Sequence, residues 1–211
     1  MSTSGMVFVV DDDPAMREAI ATLASSAGLS AQTFSSFQEF RQAQRSNVPS
    51  CLVLDVRLPG GSGLDFQREL AMAKDPIPII VITGYGDIPM SVQAMKAGAV
   101  DFLSKPFRNQ DLLDAIHEAL ERDRIRRHHE GETAALKKRL ESLTPRERQV
   151  LPLVASGLLN KQIAAEIGIS EAAAKVHRSQ LMRKLGAGSV ATLVRMVLKL
   201  GISKDFTSDL P

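Results

Sequence analysis

Five short apolar runs, each followed by an amphipathic stretch, constrain the first 128 residues more tightly than any other property of the chain. Strands are predicted over 6–10, 30–34, 51–55, 79–82 and 101–104, and helices over 14–27, 36–45, 62–73, 88–97 and 109–128. A strand buried on both faces of a parallel sheet reads as an unbroken apolar run, as Met6-Val7-Phe8-Val9-Val10 and Cys51-Leu52-Val53-Leu54 do. Strand–helix units joined by a few residues fold by right-handed crossovers, so the expected class is α/β, a doubly wound parallel sheet of five strands. Gly28, Pro49, Pro59-Gly60-Gly61, Pro76-Ile77-Pro78, Gly84, Gly98 and Pro106 all fall between the predicted elements.

Two of these runs end in acid. The first delivers Asp11, Asp12 and Asp13, and the third closes on Asp55. Ligands of open parallel sheets bind beyond the carboxyl ends of the strands. Carboxylates gathered there repel one another unless a hard divalent cation sits among them, which points to Mg²⁺ and phosphoryl chemistry. Asp13 directly precedes Pro14 and is read as the cap of the first helix rather than a metal ligand. Cys51 stands alone, so no internal disulfide can form, and its place at the head of an apolar strand predicts a buried small hydrophobe.

From Asp111 to Leu143 the chain is rich in charge and poor in breakers, with Leu112, Ile116, Leu120, Leu136, Leu140 and Leu143 at helical spacings. The segment is expected to connect two domains as a helix. Arg122 to His129 reads as a solvated polar block, and Gly131 costs a helix about 1 kcal/mol relative to Ala. One continuous helix and two bent ones both fit, and the stripe is suited to pairing with a second copy as a short coiled coil. Thr144-Pro145-Arg146-Glu147 then opens a new module with a capping box. Helices are predicted over 145–156, 160–167, 171–185 and 189–200, each followed by glycine, with no strand signal among them. Pro152 is expected to kink the first of the four. The resulting division is 1–125, a helical linker over 126–142, and a small all-α domain over 143–211.

Residues 1–120 hold 9 Lys/Arg against 14 Asp/Glu and residues 121–211 hold 17 against 10, so a net charge of +2 conceals halves of −5 and +7. A basic C-terminal half suits a polyanion such as nucleic acid. No apolar stretch reaches the ~20 residues that cross a bilayer, and Met1-Ser2-Thr3-Ser4-Gly5 lacks the pattern of a signal peptide. No membrane association and a cytoplasmic location are expected.

Val9-Val10-Asp11-Asp12-Asp13, Val53-Leu54-Asp55-Val56-Arg57-Leu58-Pro59, Val81-Ile82-Thr83-Gly84 and Phe102-Leu103-Ser104-Lys105-Pro106-Phe107 each fall at the carboxyl end of a predicted strand. Over roughly residues 5–125 they resemble the receiver domain of two-component response regulators. The resemblance implies the flavodoxin-like strand order 2-1-3-4-5 and a sensor histidine kinase as partner. It implies that Asp55 is the phosphoacceptor, forming an acyl phosphate. Mg²⁺ would be held by Asp12 directly, by Asp11 through water, by Asp55 and by the backbone carbonyl of Arg57. Lys105 would reach Asp55 and then the phosphoryl oxygens, placed by a cis bond to Pro106. Thr83 would bond a phosphoryl oxygen and draw its loop inward, with Gly84 leaving room for the kinase. Phe102 corresponds to the family's aromatic switch, its other reading being an ordinary core phenylalanine. Phosphohydrolases of the haloacid dehalogenase kind also use an aspartyl nucleophile with Mg²⁺. They need a second acid two residues on, where Arg57 stands, so the chain is not read as an enzyme, although some self-dephosphorylation by water is expected.

Thr144-Pro145-Arg146-Glu147-Arg148-Gln149-Val150-Leu151, Asn160-Lys161-Gln162-Ile163-Ala164, and Ala174-Lys175-Val176-His177-Arg178 through Met182-Arg183-Lys184-Leu185 resemble the LuxR-type helix-turn-helix of the NarL/FixJ class over about 142–205. Thr83-Gly84-Tyr85-Gly86-Asp87-Ile88-Pro89-Met90 leans toward the FixJ branch. In such a module the helix from Glu171 is the reader, joined to the helix from Asn160 by a tight turn at Gly168-Ile169-Ser170. Lys175 and Arg178 are expected on bases or phosphates, Lys161, Arg183 and Lys184 on phosphates, and Val176 and Ser179 on the same contact surface, whereas His177 is expected to pack. Ala173 and Ala174 stand where related readers usually carry Thr and Val, which would relax base contact. The implied partners are double-stranded DNA, a second copy of the chain on phosphorylation, and RNA polymerase. The competing reading is a regulator that works without phosphorylation and whose helical module mediates protein contacts.

Overall fold

The computed structural model describes residues 5–45, 47–59, 61–85 and 88–201. Residues 1–4, Gly60 of the Pro-Gly-Gly break, Gly86 and Asp87 of the Thr83–Met90 string, and the expected C-terminal stretch 202–211 lie outside them. The chain divides into two units, residues 1–127 and 128–211.

In the first unit, β1 (Met6–Val10), β2 (Ser30–Phe34) and β3 (Ser50–Asp55) follow the sequence pattern closely. An antiparallel two-residue pair that the pattern did not suggest comes next, β4 (Arg57–Leu58) with β5 (Gly61–Ser62). β6 (Ile79–Thr83) and β7 (Asp101–Ser104) complete a parallel sheet of order β2-β1-β3-β6-β7. With the short pair set aside, this is the expected 2-1-3-4-5. Along each central strand alternate residues face opposite ways. Val7, Val9, Cys51, Val53, Ile80 and Ile82 meet Ile20 of α1 (Pro14–Ser26) and Leu112 and Ile116 of α5 (Asn109–Glu141). Phe8, Val10, Leu52, Leu54, Ile79 and Val81 meet Phe40 of α2 (Phe37–Gln42), Phe66 and Leu70 of α3 (Gly63–Met72) and Ala94 of α4 (Ile88–Lys96). Both sheet faces are therefore covered, as the unbroken apolar runs require. Cys51 is fully buried, and burial pushes its thiol up, so it is a core side chain.

Helix α5 is one 33-residue element that passes through Gly131, which decides between the two readings of the connecting segment. The expected solvated block from Arg122 to His129 needs correction. Asp123 is fully buried, accepting from the Ser50 N–H at 2.9 Å and pairing with Arg126 at 2.5 Å and Arg127 at 2.6 Å. Arg127 also donates to Asn47 Oδ1 at 2.7 Å. Charge marked these positions as solvent-facing, but a carboxylate that gathers a backbone N–H and two guanidiniums can be buried.

In the second unit, α6 (Pro145–Ala155), α7 (Asn160–Ile167), α8 (Glu171–Leu185) and α9 (Val190–Lys199) enclose Leu143, Val150, Val154, Ile163, Leu181, Leu185 and Leu193. Thr144 and Glu147 form the expected capping box. Pro152 does not end α6, and its carbonyl still accepts from the Ser156 N–H at 2.9 Å.

Candidate functional site

The parallel register sets Val10 opposite Leu54, Asp55 opposite Ile82, and Thr83 opposite Ser104, so four strand tips end level with one another. Asp11 and Asp12 follow β1, Asp55 ends β3, Thr83 ends β6, and Lys105 follows β7. Asp11 and Thr83 are fully buried, Asp55 nearly so, and Asp12 is exposed. Lys105 Nζ donates to Asp11 Oδ2 at 2.6 Å and to Asp55 Oδ2 at 2.7 Å. Asp11, Asp12 and Asp55 each bring a carboxylate oxygen within 4.8 Å of the others. The Lys105–Pro106 peptide is cis, and the Lys105 N–H donates to the Thr83 carbonyl at 2.7 Å. Asp11, Asp12, Asp55, Thr83 and Lys105 are thereby gathered at one end of the sheet.

Two buried carboxylates share one ammonium. Burial raises the Asp11 carboxyl above the ordinary carboxylate range, with the Lys105 hydrogen bond opposing it only in part. Burial alone would lower the Lys105 ammonium, but its bonds to Asp11 and Asp55 outweigh that and leave it above its usual value. Three acids against one lysine leave a net negative charge, and every donor is a hard oxygen, which is what a small divalent cation requires. The donor set fits Mg²⁺.

Around this cluster, the Arg57 N–H donates to Asp55 Oδ1 at 3.1 Å, and the Arg57 guanidinium lies 4.2 Å from the centre of the exposed Tyr85 ring. Thr83 Oγ1 accepts from the Tyr85 N–H at 3.2 Å. Phe102 is half-buried against the Phe8–Leu54 face of the core. Asp13 caps α1 by accepting from the Ala15 N–H at 2.9 Å, and its own N–H donates to Asp11 Oδ1 at 2.9 Å.

In the second unit, α7 ends on Gly168 with φ 66°, and Ser170 caps α8 by accepting from the Ala173 N–H at 3.2 Å. A left-handed residue between two helices is where glycine is favoured. Ala174, Leu181 and Leu185 of α8 face the core, while Lys175, Val176, Ser179 and Arg183 are exposed at spacings that share one helical face. Lys161 is exposed on α7. Arg178 and Lys184 are engaged inside the module. Arg178 Nη1 reaches the Leu158 carbonyl at 3.1 Å and Asn160 Oδ1 at 3.3 Å, and Lys184 Nζ pairs with Glu147 at 2.7 Å and meets the Ser142 carbonyl at 3.3 Å. Burial would raise the Glu147 carboxyl, but Lys184 and Thr144 together hold it below the usual range. His177 is half-buried.

The model of the response regulator receiver domain matches residues 7–117, and that of the bacterial LuxR-family regulatory proteins matches residues 141–197. The transcriptional regulatory protein FixJ of Bradyrhizobium diazoefficiens is 39% identical over 205 residues, which cover 97% of this chain and 100% of FixJ. The chain belongs to the NarL/FixJ class of two-component response regulators. Nodulation protein W of the same organism is 55% identical to this response regulator over 206 residues, 98% of this chain and 91% of the relative. The structure of the response regulator StyR superposes with a TM-score of 0.84 at 49% identity, covering 92% of this chain and 98% of StyR. Full-length FixJ from B. japonicum gives 0.56 at 39%, covering 94% and 98%. The class is one of transcription regulators rather than enzymes, with a receiver that pairs with histidine kinases and a module that binds DNA. No helix among the described residues is long and apolar enough to cross a membrane.

Three groups around the regulator's sites escaped the sequence reading. Gly63 opens α3 where an added Cβ would lie 2.3 Å from the Asp55 carbonyl oxygen, so the acceptor loop and helix approach at a distance only glycine permits. Glu147 was read as half of a capping box, and its pairing with Lys184 spans 37 residues. Arg17 reaches back from α1 over the acidic loop. None of these contacts carries a sequence motif: Arg17 reaches back five and six residues, Gly63 meets the backbone eight residues before it, and Lys184 lies 37 residues from Glu147.

Proposed function

We propose that this chain is a transcription regulator switched by phosphorylation of Asp55. A sensor histidine kinase supplies the phosphoryl group. An Asp55 carboxylate oxygen attacks phosphorus, the bond to the kinase imidazole breaks, and an acyl phosphate remains. Asp11, Asp12, Asp55 and the Arg57 carbonyl would hold Mg²⁺, which when bound neutralises charge on the transferring oxygens. Lys105 orients the acceptor carboxylate and adds its own positive charge beside the phosphoryl oxygens. Thr83 gives up its present bond to Tyr85 and turns its hydroxyl to a phosphoryl oxygen, and Phe102 follows it inward. The observation that carries this reading is the single Lys105 ammonium bridging Asp11 and Asp55 at 2.6 and 2.7 Å.

The output is a dimer on DNA. Ile88, Val92 and Met95 are exposed on α4 at i, i+4 and i+7, an apolar stripe suited to a second phosphorylated copy. The α8 face of Lys175, Val176, Ser179 and Arg183 enters the major groove, with Lys161 on a phosphate. Arg178 and Lys184 contribute there chiefly by holding α8 in place. The paired modules then recruit RNA polymerase in the cytoplasm. The working division remains a receiver over 1–125, a linker over 126–142 and a DNA-binding domain over 143–211.

The decisive experiment compares the chain with Asp55→Asn in phosphate uptake from a small phosphodonor and in a gel shift. Uptake and phosphate-dependent DNA binding are expected for the first and neither for the second. Equal uptake by the variant would remove Asp55 from its role, and DNA binding that ignores salt would favour a module for protein contacts.

A further inference from the structure

Arg17 stands in the second turn of α1, one turn past the acidic loop, and its side chain turns back over that loop. Its Nη1 donates to the Asp11 carbonyl at 2.7 Å and to the Asp12 carbonyl at 3.0 Å. One cationic nitrogen thus fixes two successive peptide units, and with them the directions in which both carboxylates leave the backbone. Asp11 is held in other ways as well, since its carboxylate takes the Asp13 N–H and the Lys105 ammonium and its own N–H donates to Phe34. Asp12 is exposed, and its carbonyl bond to Arg17 is what ties that residue to the helix.

We propose that Arg17 is the positioning residue of the magnesium site, aiming Asp12 beside Asp11 by clamping their carbonyls. The inference rests on reading Asp11, Asp12 and Asp55 as that site. Loss of a group that orients metal ligands without touching the metal typically costs about 10–100-fold in metal affinity. Simple electrostatics points the other way. A guanidinium close to a divalent cation repels it, so a residue that acted through charge alone would tighten binding when neutralised. The two roles therefore predict opposite signs.

The test uses the full chain with Mn²⁺ as a probe of the hard-cation site, free Mn²⁺ being followed by its paramagnetic resonance signal and Mg²⁺ added as competitor. The unsubstituted chain is expected to bind one ion that Mg²⁺ displaces. Absence of such binding would overturn the site itself and so is distinguishable from failure of the Arg17 assignment. Arg17→Gln is expected to weaken binding about tenfold. Arg17→Lys is expected to restore most of it, because one ammonium can donate to two carbonyls as Nη1 does. Phosphorylation by acetyl phosphate should need a correspondingly higher Mg²⁺ concentration in Arg17→Gln, with the rate at saturating Mg²⁺ close to that of the unsubstituted chain. Unchanged or tighter Mn²⁺ binding by Arg17→Gln would overturn the proposal. Should Arg17→Gln fail to fold, Arg17→Lys carries the test alone, and a tenfold loss in that charge-preserving variant would overturn it too.

Discussion

Lys105 is the residue on which the acidic pocket turns, because its ammonium is shared by two carboxylates that would otherwise face each other across a buried gap. Removing one partner of a buried ion pair leaves uncompensated charge, at a cost of about 3–5 kcal/mol for a dry site and less where solvent reaches the lysine, as it does here. Lys105→Met is therefore expected to destabilise the receiver by about 2–3 kcal/mol without Mg²⁺. Adding Mg²⁺ should recover much of that loss, since the cation replaces the missing charge. Urea unfolding with and without MgCl₂ checks this, and a variant no more stabilised by Mg²⁺ than the parent would contradict the shared-charge account. Gly63 makes a steric counterpart. Ala there brings Cβ to 2.3 Å from the Asp55 carbonyl and 2.9 Å from Val56 Cα, both backbone atoms that cannot yield separately. Gly63→Ala is expected to cost about 1–3 kcal/mol and to slow phosphate uptake at Asp55, measured with the same phosphodonor. Lys105 could be read from the sequence through the receiver resemblance, because it follows a strand and precedes a proline in one of the motifs that carry it. Arg17 and Gly63 could not, since one reaches back along a flexible side chain and the other is required by an approach between two separate elements.

At the scale of elements, the strands were the most legible part of the chain and the connecting helix the least. Fully covered strands announce themselves as apolar runs, so β1, β3 and β6 lie within a residue of their expected bounds. Helix α5 carries charge on most of its surface, and a charged side chain in sequence looks the same whether it faces water or a buried partner. Asp123 shows the consequence. Burial would raise its carboxyl, but Arg127, Arg126 and the Ser50 N–H outweigh burial and hold it below the ordinary range. A carboxyl depressed in the folded state contributes stability that is present above its unfolded value of about 3.9 and is lost as pH falls through the lower folded value. Asp123→Asn is accordingly expected to destabilise the receiver by about 2–3 kcal/mol at pH 7. The gap to the parent should narrow below pH ~4. Equal gaps at pH 7 and pH 3 in chemical unfolding would show that the charge is not the source. The midsection of the same helix offers a simpler case. Gly131 has open space where a Cβ would go, so Gly131→Ala should firm the helix by about 1 kcal/mol, seen as slower amide exchange around residues 128–134.

For the whole molecule, the charge division of −5 and +7 suits the C-terminal half to a polyanion, and in the proposed function the receiver controls access through assembly. Two weak modules become one strong binder when joined, because the second contact is made at high effective concentration. A dimer formed through the exposed α4 stripe would do this, and a twofold interface sets the same patch of both copies against each other. Val92 lies between Ile88 and Met95 and is 44% exposed, so a charge there is compatible with the receiver fold. In that dimer, Val92→Glu would place a carboxylate from each copy in an apolar contact, where burying charge is costly. The phosphorylated variant is therefore expected to take up phosphate as the parent does, to stay monomeric by sedimentation, and to bind one half-site with unchanged affinity. Binding to paired half-sites should fall by at least tenfold, the loss that follows when linkage no longer raises the local concentration. A phosphorylated Val92→Glu chain that still dimerises and holds paired sites as tightly as the parent would place the interface on another face of the receiver.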